Sequence, residues 1–197
     1  KFNSPNYLAI DSKGRVYFTD PRYAGDELRE INFEGVFLVE RDGTVKLATK
    51  DVEKPNGILV SLNGIHVYVA DNNNNPKGNH HLVRFKVQKD GTLSGKKILF
   101  DFGPDRRGID GMTLDGEGNI YATAGRGERA GIYIFSSSGK NLALIRTPGS
   151  PTNCVFGGGK EKSALYITAQ SAPTADGTKP WGLFRIRLKI AGHHIFE

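Results

Sequence analysis

The chain has 197 residues, 38% of them hydrophobic, which allows one or two domains with a sizeable buried core. Its net charge of +6 comes from 27 Lys and Arg against 21 Asp and Glu, but the basic residues are scattered, with no run of five and no interleaved aromatic ladder, which argues against a nucleic-acid surface. The single cysteine, Cys154, excludes an internal disulfide, and no stretch approaches the roughly 18 apolar residues of a membrane span. Within NCVF, Cys154 reads as a small core residue rather than a nucleophile.

In chain order, the apolar or alternating runs are RVYFT (15–19), GVFLV (35–39), HVYVA (66–70), LVRFKV (82–87), NIYAT (119–123), GIYIF (131–135), ALYIT (164–168) and GLFRIRL (182–188). They are rich in Val, Ile, Tyr, Phe and Thr, and Asp-Gly, Asn-Gly, Ser-Gly or Lys-Gly pairs separate them, which is the signature of strands joined by hairpins. Gly 25 and Pro 9 suit a chain full of tight turns. Only GDELREI (25–31) has room for a helical turn, too short to stand alone. The predicted class is all-β.

A longer period underlies these runs. The pairs Pro5-Asn6, Pro55-Asn56, Ile109-Asp110 and Pro151-Thr152 each precede an apolar run, and their second members step by 50, 54 and 42 positions (6 to 56 to 110 to 152). Asn6 is followed by Asp11, Gly14 and Tyr17, and Asp110 is followed at the same offsets by Asp115, Gly118 and Tyr121. Repeats of this length with four strands each predict a β-propeller, sixteen strands in all. The innermost strand of each blade is then YLAI, GILV, GMTL or NCVF, and the residues that open these strands converge on one end of a central channel. Asn6, Asn56 and Asp110 are expected to face one pocket there. The competing reading is local: Asn and Asp bond readily to their own backbone and cap turns.

Two carboxamides and a carboxylate are hard oxygen donors. They suit Ca²⁺, and with adjusted geometry Mg²⁺ or Mn²⁺, better than a structural zinc site. Such a set is short of charge, so a further carboxylate is expected, and none stands in register within these repeats. The chain does not begin with Met and opens within a few residues of its first motif, so that carboxylate is expected in sequence upstream.

SPNYLAIDSKGRVYFTDP, PNGI, DGMTLDGEGNIYAT and PTNCVFGG resemble, in order and spacing, the motifs of the gluconolactonase and regucalcin (senescence marker protein) family of sugar lactonases, akin to diisopropyl fluorophosphatase. The resemblance covers nearly the whole chain. It implies a six-bladed propeller with one divalent metal at the channel mouth, of which 1–197 supplies about four blades as a single domain, the C-terminal two-thirds. It further implies that Asn56 and Asp110 are metal ligands, and that the third family ligand, a Glu on the first blade, has no counterpart here. Calcium is the first expectation, with Zn²⁺, Mn²⁺ or Mg²⁺ as alternatives. Asn6 matches an asparagine that contacts substrate or a metal-held water, and Tyr23 in TDPRYAG falls in a loop over the pocket. Asn153 either lines the channel or serves a turn. Family members often have Asp where this chain has Tyr7.

The reaction so implied is the opening of a sugar lactone. A metal polarises the carbonyl, and water attacks with Asp110 as general base. A neighbouring cation lowers a carboxylate's basicity, so deprotonation with the metal's help competes with Asp110 for that role. The alternatives are a non-catalytic propeller that binds or scaffolds, and a phosphotriesterase-like hydrolase on the same site. The implied partner is a small lactone, with no nucleic acid and no membrane. With four of six blades and an incomplete ligand set, weakened metal affinity and low activity are expected. GGGK (157–160) lacks the Ser or Thr of a phosphate loop after Lys160, and DGEGN (115–119) lacks the closing acid of a calcium loop, so both read as turns. The pairs His80-His81 and His193-His194 are unsuited to chelation, because strand neighbours point to opposite faces.

Overall fold

In the computed structural model, which describes residues 1–75, 77–104 and 106–195, each of the predicted runs lies in a strand, with ends shifted by a residue or two. The first sheet is the meander β1 (Leu8–Ile10), β2 (Val16–Asp20), β3 (Gly35–Val39) and β4 (Val45–Thr49). The second is β5 (Pro55–Val60), β6 (His66–Asn72), β7 (His80–Val87) and β8 (Leu93–Asp101). The third is β9 (Met112–Leu114), β10 (Ile120–Ala124), β11 (Gly131–Phe135) and β12 (Asn141–Arg146). The fourth has three strands, β13 (Pro151–Phe156), β14 (Ala164–Gln170) and β15 (Trp181–Arg187), so the described residues hold fifteen strands rather than sixteen.

All pairings are antiparallel between consecutive strands, and the strand after each motif is the first of its sheet, as the repeat predicts. GDELREI (25–31), judged too short to stand as a helix, is irregular with bends, since one turn without a packed face cannot meet its nucleation cost. Two single 3₁₀ turns occur instead, Gly127–Arg129 and Gly159–Glu161. The second lies in the β13–β14 connection, closed by the Gly157 amide on the Ala164 carbonyl (2.9 Å), so GGGK is a hairpin turn as read.

The described chain forms two compact units, Lys1–Gly108 and Ile109–Glu197. In the first, β1 and β2 lie against β5, and Tyr17, Val36, Leu38, Ile58, Val67, Val83 and Phe85 from both sheets share one core. In the second, β13 lies against β9 and β10, and Tyr121, Ile132, Cys154, Phe156, Leu165 and Ile167 form the core. Cys154 is 4% exposed and burial pushes its thiol up to about 12, which makes it a core residue with no thiolate to offer.

The shared offsets within the first and third repeats have a local cause. Asp11 Oδ1 accepts the amides of Lys13 and Arg15, and Asp115 Oδ1 accepts those of Glu117 and Asn119, each at 2.8–2.9 Å. Gly14 (φ +75°) and Gly118 (φ +80°) supply the left-handed residue that each turn requires, and each donates its amide to the aspartate carbonyl. DGEGN is therefore the turn it was read as.

Candidate functional site

In the first unit two motif residues meet across neighbouring sheets. Asn6 Nδ2 donates to Asn56 Oδ1 at 3.1 Å, although the residues are 50 positions apart. Asn56 is 5% exposed, whereas Asn6 is open to solvent. The Asn56 carbonyl keeps a second lone pair beyond that bond. A buried hard oxygen of this kind fits an oxygen-loving divalent cation, and so does the carboxylate chemistry of Asp110. Among the described residues no group of three or more His, Cys, Asp or Glu is arranged to hold a metal.

Backbone geometry explains why Asn56 stands out from its strand. The β5–β6 register pairs Pro55 with Asp71 and next Ile58 with Val69, so Asn56 and Gly57 face Ala70 alone in a bulge. Tyr23 lies beside this bulge. Its hydroxyl donates to the carbonyl of Asn72 (3.1 Å) and reaches that of Lys54 (3.5 Å), tying the loop after β2 to the second sheet. Lys54, 8% exposed, stands with Nζ 5.3 Å from the centre of the Tyr23 ring and donates to Asn74 Oδ1 at 3.2 Å.

In the second unit Asp110 occupies the position that Asn6 holds in the first. The amide of Asn6 donates to the Thr19 carbonyl and that of Asp110 to the Thr123 carbonyl, both at 2.9 Å. Asp110 is half-buried. Gly111 follows it, and its amide reaches both Thr152 O and Thr123 Oγ1 at 2.9 Å. A Cβ on Gly111 would stand 2.3 Å from Asn153 Oδ1 and 3.0 Å from Asn153 Cα, so glycine is what lets the fourth sheet approach this motif. Asn153 is exposed at the irregular start of β13, and its Oδ1 accepts the Cys154 amide at 2.8 Å.

Residues that the sequence reading passed over complete the picture. Thr19, Thr123 and Thr168 stand at one position of the second strand in three sheets. Their hydroxyls accept the amides of Tyr7, Gly111 and Asn153, the residues after the motif positions, at 3.1, 2.9 and 3.1 Å. Asp20 and Asp71 follow in the first two sheets, both fully buried. Asp20 accepts the amides of Asn3 and Ser4 (2.9 and 2.8 Å), and Asp71 those of Glu53 and Lys54 (both 2.9 Å). The endings TDP, ADN, TAG and TAQ of the four second strands carry this pattern in the sequence. Three histidines have nearby partners: His80 Nδ1 bonds the Gly103 carbonyl (3.1 Å), His81 Nε2 lies 3.5 Å from Asp101, and His194 Nε2 bonds the Gly157 carbonyl (2.9 Å).

Four antiparallel sheets, three of whose first strands open on an Asn or Asp motif, are the blades of a β-propeller. The chain belongs to the SMP-30/Gluconolactonase/LRE-like family, which residues 1–171 match. It is 32% identical over 195 residues to a gluconolactonase of Zymomonas mobilis, covering 92% of this chain and 52% of that protein. It is 31% identical over 188 residues to regucalcin of Homo sapiens, covering 94% of this chain and 59% of that one. A solved Xanthomonas campestris structure, described as a gluconolactonase important in glucose secondary metabolic pathways, matches with TM-score 0.73 and 26% identity over 94% of this chain and 58% of its own. The chain thus spans between 52% and 59% of the two curated relatives. No helix among the described residues is long and apolar enough to cross a membrane.

Proposed function

We propose that this chain carries the core of a metal-dependent lactonase acting on a sugar lactone, with Asn56 and Asp110 as ligands of one divalent cation, calcium first. The observation that carries the reading is the Asn6–Asn56 hydrogen bond, which joins the motif residues of two successive blades. Family membership, and relatives named gluconolactonase, support the substrate class. The bound cation would supply positive charge to a carbonyl oxygen on which negative charge develops.

The chain's own residues do the rest. Asp110 accepts a proton from the attacking water, whose oxygen bonds to the lactone carbonyl carbon. The ring C–O bond breaks, the ring oxygen takes up a proton, and an open-chain hydroxy acid leaves. Asn6 offers a carboxamide to sugar hydroxyls, with Asn56 holding its orientation. Tyr23 and Asn153 border the same motifs and complete the proposed substrate contacts.

The test is hydrolysis of glucono-1,5-lactone, followed by acid release with and without Ca²⁺ and corrected for spontaneous opening. Asp110→Asn is expected to lower kcat by about 100-fold or more, the usual weight of a general base. Turnover that is indifferent both to chelator and to Asp110→Asn would sink the reading, and preferential turnover of a fluorophosphate would move it to the phosphotriesterase alternative.

A further inference from the structure

The geometry points to Asp71 as a positioning residue for Asn56, an inference that rests on the lactonase reading for its functional meaning but not for its geometry. In the first, third and fourth sheets a threonine hydroxyl grips the amide just after the motif residue. The second sheet, which carries Asn56, has Ala70 at that place and has no hydroxyl to offer. Its first strand is also bulged there, with Asn56 and Gly57 together facing Ala70.

Asp71 supplies the missing grip from the other side of the motif. Its Oδ1 accepts the amides of Glu53 and Lys54, both at 2.9 Å, which fixes the two residues that lead into Pro55-Asn56. Asp20 does the same for Asn3 and Ser4, but the first sheet has Thr19 as well. Asp71 thus holds both amides of the lead-in to Asn56, while Tyr23 and the Asn72 amide reach only the Lys54 carbonyl. The environment is built for a carboxylate. Asp71 is fully buried, and its Oδ2 makes no hydrogen bond among the described residues but lies 3.5 Å from Lys96 Nζ on β8. Charge on Asp71 strengthens its two amide bonds, and Lys96 balances that charge across the sheet.

The test compares Asp71→Ala and Asp71→Asn with the unaltered chain by site-resolved amide hydrogen exchange and by Ca²⁺ calorimetry. Asp71→Ala is expected to speed exchange at Glu53 and Lys54 by roughly threefold to tenfold while the β6–β7 ladder keeps its protection. Its Ca²⁺ affinity is expected to fall by about 10- to 100-fold, the usual cost of losing a group that orients a metal ligand. Asp71→Asn keeps one acceptor oxygen and should lie between the two on both readouts, and it carries the test if the alanine variant does not fold. Unchanged exchange at Glu53 and Lys54, or a rise spread evenly over the second sheet, would overturn the assignment. If the unaltered chain neither binds Ca²⁺ nor opens a lactone, the lactonase reading fails, and the exchange pattern still decides whether Asp71 positions Asn56.

Discussion

Buried acids at single positions give this molecule a defined response to alkali. Burial, opposed by Arg15 and reinforced by Asp11 and Glu40, pushes the Tyr17 phenol up to about 12, and burial with the nearby Asp115 does the same for Tyr121. Burial alone raises the Cys154 thiol to about 12. Free phenols and thiols ionise near pH 10 and 8.5, so above those values the unfolded chain has released protons that the folded chain still holds. Stability must therefore fall as pH rises from about 8.5 towards 12, and it is indifferent to these groups below that window. Thermal melting across the alkaline range should show this decline. Tyr17→Phe, which loses the hydroxyl bond to Gly91 O (2.9 Å), should start about 1 kcal/mol less stable but decline less steeply. Equal slopes for both proteins would contradict this account. At the same scale, the motif asparagines and Asp110 were legible in the sequence because the repeat aligns them. Asp71 was not, because nothing in ADN reveals which distant amides a carboxylate will accept.

Among the elements, the hairpin turn between the first two strands of a sheet shows how one motif acquires different weights. Asp11 and Asp115 accept the same pair of amides, but Asp11 also takes Arg15 through Nε and Nη2, both at 2.7 Å, with both side chains buried. In place of a guanidinium, Asp115 has two neutral side-chain partners, the Asn119 amide at 2.8 Å and the Tyr121 hydroxyl. Asp11→Ala strands a buried guanidinium, worth about 3 kcal/mol or more, whereas Asp115→Ala removes neutral bonds worth about 1 kcal/mol. With about 2–4 °C per kcal/mol for a chain of this size, the expected losses are roughly 6–12 °C and 2–4 °C, measurable by circular dichroism melting. A reversed order would show that Arg15 finds another partner. Strand positions were legible wherever one face is buried. The outer strands β8 and β12 have mostly exposed side chains and β4 buries only Ala48, so they carry little alternation to read.

For the whole molecule, binding and folding are linked. A cation that binds only the folded state at 100 times its Kd adds about 2.7 kcal/mol, which corresponds to a melting rise of roughly 5–10 °C. Ca²⁺ should produce such a rise in the unaltered chain, reduced in both Asn56→Ala and Asp110→Ala. A rise that survives both substitutions would place the ligands elsewhere. The residues that open the repeats, the turn aspartates and the strand runs were determined by the sequence alone, because period-two burial and the turn chemistry of Asp and Gly act over a few neighbouring residues. Only the tertiary structure decided that Asn6 reaches Asn56, that the fourth sheet has three strands among the described residues, and that Asp71 grips the amides leading into the motif. Those contacts join segments 17 to 50 positions apart, and their distances depend on sheet register, a bulge and core packing that no local pattern encodes.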